Sequence, residues 1–586
     1  MLLSSLGLGV FSTILSAKQL ELRRKNSELV VAQQQADNSA KEADTRRVQA
    51  EEARVKSEEA TLLANRAQAS TLAFSEFLID HILATARPKG QEGGLGIDVT
   101  VVDALRAAEP VIDTLFVNNP EAEASTRSGI GRTWYTLGQY QRAKIHQQRV
   151  RELLELRGLM DDQYLVNLNE LSSTLRELGE TEEALRLQEQ VVSSFRRTQG
   201  EHARNTLASE NNLAITYQNI GRLPEAIKLF EHVFEQTREQ HEEDRPEFVN
   251  ALNNLVGALR YGDDEQTQRA KQMFGTLLET SEKVLGTSHP NHLVTVNNFA
   301  NFLTDQKQTD QAIALLAETI RRLESTVGVE HPTTLICRMN LGASYVASSN
   351  LEDGLSTLEA AWKGLSKALS PNHPDTLNAL DIYANALSEA GHVSESLELF
   401  KKAYEGRKLV LGPTNLDTLI TLNNMATVYD QAQMYDHAIE LKRECLELRR
   451  SVLAPTSSEV MASLYNLGFS YLISGRISEG IDTFAEHAEL RLQVEGPKSP
   501  NTWEAYLNLT SAYATSNSPD KAIEIGQRTL AMIQAVLPMD DPILVNAQMT
   551  VGISAIHAKQ FQLARDLHRE VVPSAAHGDV FAIDVF

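Results

Sequence analysis

The feature that most constrains the fold of this chain is an internal period of about 42 residues. A small residue recurs with steps of 41, 42 and 44 residues and then 42 throughout, at Ala143, Ala184, Ala226, Ala270, Ala312, Gly354, Ser396, Ala438, Gly480, Ala522 and Ala564. An apolar or aromatic residue stands 13 residues before most of them, at Ile130, Leu171, Leu213, Leu255, Phe299, Leu341, Tyr383, Met425, Leu467, Leu509 and Val551. A period of this length is typical of repeat architectures rather than of ordinary globular domains.

Each repeat is predicted to be a helical hairpin. The apolar residue lies on helix A, and the next residue on the same helical face follows four positions later, as Trp134 follows Ile130. The small residue opens helix B and lets the two helices cross closely. One hairpin cannot bury its apolar faces alone, so neighbouring hairpins must stack into an all-α superhelix with a continuous core.

The order of these residues resembles the tetratricopeptide repeat in a 42-residue form. Glycines mark the turn from helix A to helix B at Gly138, Gly179, Gly221, Gly391 and Gly475. His289-Pro290, His331-Pro332 and His373-Pro374 recur in phase at the junction from helix B to the next helix A. The His-Pro junctions are similar to those of the kinesin-light-chain type of this repeat. The resemblance covers about four fifths of the chain and implies a right-handed superhelix of the tetratricopeptide solenoid type.

Four segments are predicted. Residues 1–18 form a short apolar segment, 19–70 a charged helical stalk, 71–120 a helical adaptor, and 121–586 eleven repeats. In the stalk, Ala36, Ala43 and Ala50 recur every seven residues, which leaves two alternatives: a dimeric coiled coil or a solvated single helix. In the adaptor, Thr100 is predicted to cap a helix that runs toward Phe116.

The apolar segment Leu2–Ala17 predicts a membrane anchor, and hence a membrane-associated protein with a single N-terminal helix. A signal peptide and a plain buried or disordered start are the alternatives. The segment has no charge before it and is followed by Lys18 and a cluster of basic residues. The side of the membrane on which the repeats would lie stays open.

Asparagine recurs in phase on the predicted helices A, which line the concave surface of such a solenoid. A carboxamide both donates and accepts hydrogen bonds, as an extended peptide backbone requires of its partner. The resemblance implies that Asn at this place holds peptides; the alternative is that the amides hydrogen-bond between successive helices A. The candidate peptide-binding residues are Asn169, Asn211, Asn212, Asn253, Asn254, Asn297, Asn298, Asn340, Asn423, Asn424, Asn466 and Asn508.

Several other functions are disfavoured. The formal charge of −23 argues against nucleic acid, because counterion release needs clustered Lys and Arg. The repeating His-Pro residues predict turns or helix caps rather than a metal site, and Cys337 and Cys445 suggest no disulfide framework. The Lys or Arg of a carboxylate clamp does not accompany the asparagines. Because no phosphate-binding loop, kinase motif or hydrolase motif occurs, we expect neither an enzyme nor a cofactor.

The segments Phe77–Ala86, Asp98–Val101 and Pro120–Ala124 are similar to the linker between membrane helix and repeats in bacterial serine/threonine kinases with tetratricopeptide tails. The chain lacks the kinase domain of that family. Two readings follow: a stand-alone relative, or a chain whose true start lies upstream of Met1.

The sequence thus predicts a non-catalytic, membrane-tethered scaffold that binds an extended segment of a partner protein in its concave groove. The alternative is the sensory tail of a membrane serine/threonine kinase.

Overall fold

A computed structural model describes residues 3–87, 95–96, 98–117, 119–158, 160–239, 245–516, 518–557 and 559–567. In α1 (Leu3–Phe77), the side chains of residues 3–15 and of several later residues, including Ala36 and Ala43, lie outside the description. Residues 88–94 and 97 lie outside it as well.

Helix α1 is a single exposed helix over its described stalk residues. Ion pairs one turn apart follow its surface, such as Arg24 with Glu28 at 3.0 Å and Arg54 with Glu51 at 2.6 Å. Such pairs each add only a few tenths of a kcal/mol, about 0.2–0.5, to an isolated helix. Val48 and Val55 are exposed. Whether the stalk pairs with a second copy stays a prediction.

The expected membrane anchor is wrong. In the described part of the chain, no helix is both long and apolar enough to span a bilayer. The physical reason is that the uncharged run ends at Lys18 after 16 residues, which reach roughly 24 Å of the roughly 30 Å of hydrocarbon. Beyond that point α1 continues as a charged helix, and the membrane localisation predicted from the run is corrected accordingly.

The adaptor contains two short helical turns, Leu78–Ile82 and Leu83–Ala86, followed by α2 (Val101–Leu115). The Thr100 side chain accepts a hydrogen bond from the Asp103 amide at 3.1 Å, so the predicted N-cap is confirmed. The buried Phe77 ring lies 6.1 Å from the Phe116 ring and joins the end of α1 to the end of α2.

From residue 120 onward, helices A and B alternate. The helices A are α3 (Pro120–Thr136), α5 (Asp162–Glu177), α7 (Arg204–Asn219), α9 (Pro246–Leu259), α11 (Pro290–Asp305), α13 (Pro332–Ala347), α15 (Pro374–Glu389), α17 (Leu416–Gln431), α19 (Ser458–Ile473), α21 (Pro500–Ala514) and α23 (Pro542–His557). The helices B are α4 (Tyr140–Leu156), α6 (Thr181–Gln199), α8 (Leu223–Glu239), α10 (Asp264–Leu285), α12 (Thr309–Thr326), α14 (Leu351–Ala368), α16 (Val393–Val410), α18 (Tyr435–Val452), α20 (Ile477–Glu495) and α22 (Pro519–Gln534), and residues 561–567 are also helical. The predicted all-α solenoid, preceded by a long N-terminal helix, is confirmed.

The small residue of each repeat allows helix B to pack closely against helix A. Ala143, Ala184 and Ala226 are fully buried at the starts of their helices B. Where the residue is glycine the contact is tighter still, because a Cβ at Gly354 would lie 2.6 Å from the Val346 side chain. Phenylalanines one turn later fill the space between hairpins and are fully buried at Phe230, Phe274, Phe400 and Phe484.

The chain divides into two compact units, Met1–Thr126 and Arg127–Phe586. The segment boundaries at residues 18, 70 and 120 stay predictions. All of the features described below lie in the second unit.

Candidate functional site

The predicted asparagines lie on the helices A and face a partly exposed surface. Asn297 is buried and the other eleven are half-buried. Their register follows from the 42-residue period, since the same two positions of helix A recur in each repeat. We call this set of side chains the amide row.

The asparagines of successive helices A hydrogen-bond to each other. In each case the second Asn position of one repeat donates through Nδ2 to the first position of the repeat before it. The donor–acceptor distances are 3.1 Å for Asn212 to Asn169, 2.9 Å for Asn254 to Asn211, 3.2 Å for Asn298 to Asn253, 2.9 Å for Asn340 to Asn297 and 3.1 Å for Asn466 to Asn423. We call each such pair of side chains on successive helices A a rung. The rungs of the amide row link neighbouring repeats.

Two rungs have different chemistry. Asn424 donates to a carboxylate oxygen of Asp381 at 3.3 Å. Burial raises the pKa of Asp381, against the opposing effects of the Arg407 charge and of hydrogen bonds from Thr421 and Asn424. Between the amide and carboxylate rungs, Met339 and Ile382 occupy the paired positions, so that rung is apolar.

The row is interrupted toward the C-terminal end. Asn508 has Tyr465 at the position where a paired residue would stand, and its buried Nδ2 has no hydrogen-bond partner. On α19, the exposed side chains of Tyr465, Phe469 and Ile473 follow one another at four-residue spacing. This part of the surface is apolar where the earlier part is amide-lined.

Of the two interpretations of the asparagines, hydrogen bonding between successive helices A is observed at the five Asn–Asn rungs and at the Asn424–Asp381 rung. A carboxamide has two N–H donors and an acceptor oxygen, so one rung does not exhaust it. Peptide binding by these residues stays a prediction.

A cavity of about 240 Å³ lies beside the row in the third, fourth and fifth repeats. The buried rings of Phe230 and Phe274 contribute apolar surface, and half-buried amides contribute polar surface. Its lining residues are Ile215, Gln218, Phe230, Asn253, Asn254, Gly257, Arg260, Tyr261, Phe274 and Asn298.

Gly257 explains why space exists here. A Cβ on this residue would meet no atom within 4 Å, so its missing side chain leaves part of the cavity open. The Arg260 guanidinium lies 4.8 Å from the centre of the exposed Tyr261 ring and forms an ion pair with Asp305.

This cavity was not predicted from the sequence. A signal was present, because the 44-residue step places two extra residues near Gly262 and Asp263, directly after Arg260 and Tyr261. An irregular step in a regular array marks the place where the surface departs from its neighbours.

The histidines of the junctions cap helices. The Nδ1 atoms of His289, His331 and His373 each accept a hydrogen bond, at 3.2 Å, from the backbone amide two residues later. His292 instead hydrogen-bonds to Ser281 at 2.8 Å. Within the described ranges, no group of three or more His, Cys, Asp or Glu side chains could hold a metal ion. Cys337 and Cys445 are free and buried.

Comparison with known families gives the assignment. A tetratricopeptide repeat model matches residues 163–239, 205–283, 338–408, 383–451 and 459–535, and a second tetratricopeptide model matches residues 293–333. The chain belongs to the tetratricopeptide repeat family. The family models describe the repeat only as tetratricopeptide. A structure with repeats of the kinesin-light-chain type, which the His-Pro junctions predicted, is among the similar solved structures. The relationship to repeat-tailed kinases is not shown by these matches, and no curated protein sequence matches the chain.

Solved structures of repeat proteins are similar to it. Nearly identical repeats of kinesin-light-chain type from Podospora anserina share 19% identity, cover 35% of this chain and 97% of that one, with a TM-score of 0.33. BtubC from P. vanneervenii shares 17% identity over 40% of this chain and 97% of that one, with a TM-score of 0.33. The human IFIT1 dimer with m7Gppp-AAAA shares 16% identity over 73% of this chain and 94% of that one, with a TM-score of 0.34. The family match therefore carries the assignment.

Proposed function

We propose that this tetratricopeptide protein is a binding scaffold whose helix-A surface holds an extended segment of a partner protein. The cavity in the third to fifth repeats receives one side chain of that segment. The proposal requires no catalytic group and no cofactor, and it places the partner's backbone along the amide row.

The observation that carries the proposal is the mixed chemistry of the cavity. Phe230 and Phe274 are buried and apolar, whereas Asn253, Asn254 and Asn298 are half-buried amides beside them. Such a combination suits a peptide, because an apolar side chain can enter while the neighbouring peptide groups hydrogen-bond to the amides.

The charge of the chain narrows the class of partner. At −23, the protein repels acidic segments over a distance set by ionic strength. No Lys or Arg occupies the first Asn position of the described helices A, and the Arg260 guanidinium that lines the cavity is already paired with Asp305. Neutral or basic extended segments are therefore favoured over acidic ones.

A library of random linear peptides, selected on the full-length chain, tests this function. Gly257→Leu should fill the cavity without removing an Asn–Asn hydrogen bond. It should lower the affinity for the selected peptides by about tenfold or more, which corresponds to about 1.4 kcal/mol of binding free energy. Leucine is also a better helix former than glycine by roughly 0.5–1 kcal/mol, so the helix itself should not be weakened.

Gly275→Leu is the matched control. Gly275 also lies within a helix with no atom within 4 Å of a Cβ, but it is exposed on α10 and does not line the cavity. It should leave binding unchanged. Selection of no peptide, or equal binding by both variants, would refute the proposed site.

A further inference from the structure

The turns of the first three repeats touch the helix starts of repeats six positions later. A Cβ on Gly138 would lie 2.7 Å from Pro374, which begins α15, and one on Gly179 would lie 2.8 Å from the Asn415 backbone nitrogen, just before α17. A Cβ on Gly221 would lie 3.1 Å from Glu459 in α19. Three consecutive A-to-B loops thus contact three consecutive helix starts. The array therefore completes a superhelical turn in about six repeats, and its second superhelical turn packs against the first.

Asn415 joins two helix ends at this contact. Its Oδ1 accepts from the Asp417 amide at 2.9 Å and caps the start of α17. Its Nδ2 donates to the Glu177 carbonyl at 2.9 Å, and Glu177 is the last residue of α5. One side chain thus satisfies an orphan amide of one helix and an orphan carbonyl of a helix 238 residues away.

His373 occupies the equivalent position one repeat earlier. Its Nδ1 accepts from the Asp375 amide at 3.2 Å and caps α15. The ring also lies against the turn that follows α3, since a Cβ on Gly138 would be 3.1 Å from its Cδ2 atom, and the backbone of Thr136, the last residue of α3, acts to raise the pKa of the ring. An imidazole and a carboxamide both offer an acceptor for the cap and a second nitrogen that can donate.

The glycines of the turns show that the contact, rather than the backbone conformation, excludes a side chain. The equivalent turn residues Lys307, Ser349 and Gln433 have positive φ values of 59°, 65° and 60° with side chains present. Gly138, Gly179 and Gly221 have φ values of 68°, 73° and 78°. The left-handed conformation is therefore tolerated without glycine elsewhere in the array.

Gly391 and Gly475 complete the comparison. They have the same positive φ, at 83° and 81°, but a Cβ on either would meet no atom within 4 Å. At Gly138 and Gly179 the neighbour leaves no room for a Cβ, whereas at Gly221 the Glu459 side chain would have to shift by a few tenths of an ångström.

We propose that these three contacts between loops and helix starts form a clasp that closes the repeat superhelix, and that a bound segment must therefore enter the groove by its free end unless the clasp opens. The second clause rests on the proposed function. The first describes the protein without any partner.

A distance measurement on the full-length chain tests the clasp. Spin labels on Glu182→Cys and Lys408→Cys report the separation of the two superhelical turns, and the native cysteines are buried and free. Gly179→Val should lengthen and broaden this distance. Gly391→Val, which imposes the same backbone strain without the contact, should leave it as in the parent chain. Equal distances in all three would overturn the clasp.

A second pair of variants decides the matter if valine at residue 179 prevents folding. Serine still caps a helix but is too short to span both partners, so Asn415→Ser should keep the cap and lose the bond to Glu177. His331→Ser makes the equivalent change at the start of the sixth repeat. No repeat stands six positions before that one, so its cap has no earlier turn to contact. A longer distance in Asn415→Ser than in His331→Ser supports the clasp, and identical distances overturn it.

The free-end requirement is tested with a selected peptide and its cyclised form. In the parent chain the cyclic form should associate about tenfold more slowly or worse, because binding then waits for a conformational change, and Gly179→Val should remove the difference. Equal rates in the parent chain would overturn the requirement. If no peptide is selected, the proposed function and the free-end requirement both fall, while the label distances still decide the clasp.

Discussion

The two halves of the amide row use the same positions of the same repeat differently. From Asn169 to Asn340, four consecutive amide rungs link the second repeat to the sixth. Near the other end, Tyr465 and Leu507 stand where an acceptor would be, and the Asn508 amide is left without one. The difference teaches that the repeat determines where an asparagine lies, while the residue at the paired position of the preceding helix A decides whether a hydrogen bond forms.

The largest effect is expected from removing the four rungs of the first half. Each hydrogen bond contributes a net of about 0.5–1.5 kcal/mol. Replacing Asn212, Asn254, Asn298 and Asn340 by Ala should therefore lower the free energy of unfolding by roughly 2–6 kcal/mol, if the sites are additive. Urea denaturation followed by circular dichroism measures it.

The control for this prediction lies in the second half. Asn508→Ala removes the same group from the same helical position, but that group has no acceptor to lose. It should change stability little, or slightly raise it. If Asn508→Ala lowers the free energy of unfolding as much as Asn340→Ala does, the hydrogen bond to the preceding helix A is not the source of the stabilisation.

The next effect is a loss of stability in acid through His487 in the second half, because the amide rungs themselves carry no titratable group. Burial, with the Arg491 charge, lowers the pKa of His487 in α20 from 6.5 to about 4. The folded state thus favours the neutral ring, and its full contribution is present above pH 6.5. As the pH falls from 6.5 to about 4, the unfolded chain takes up the proton first, and stability is lost by at most about tenfold in the folding constant per pH unit.

Melting temperatures of the parent chain and of His487→Gln, measured between pH 8 and about pH 4, test this loss. The variant should lose less stability on acidification than the parent chain. His392→Gln, which changes an exposed histidine, should follow the parent curve. Parallel curves for His487→Gln and the parent would contradict the assignment.

The smallest effect concerns the apolar rung between the halves. Met339→Asn alone buries an amide against Ile382 and should cost about 1–3 kcal/mol. Adding Ile382→Asn supplies the missing donor, so the double variant should recover part of that loss. A double-mutant cycle should give a favourable coupling of roughly 0.5–3 kcal/mol, whereas simple additivity would mean that the two side chains do not meet.

Much of the fold could be predicted because its causes are local or periodic. The small residues at Ala143 and its equivalents, and the caps at Thr100 and His373, act within one hairpin or one turn of helix. The membrane anchor was wrong for a local reason as well, since a run that ends at Lys18 is too short to span a bilayer.

The candidate site could be predicted only in part. Periodicity placed the asparagines on one face, but it could not distinguish a rung from a free amide. That distinction depends on the distance between neighbouring helices A, which is set by how Ala, Gly and Phe side chains pack between hairpins. The cavity around Gly257 depends on the same packing.

By itself, the sequence determined a repeating helical hairpin, its stacking into a superhelix, and the face on which the asparagines lie, because side-chain size and helical periodicity act over a few residues. Only the tertiary structure decided which amides bond to each other and that Asn415 reaches Glu177. Those contacts depend on the small rotation between successive repeats, which accumulates over six of them and cannot be read from any one.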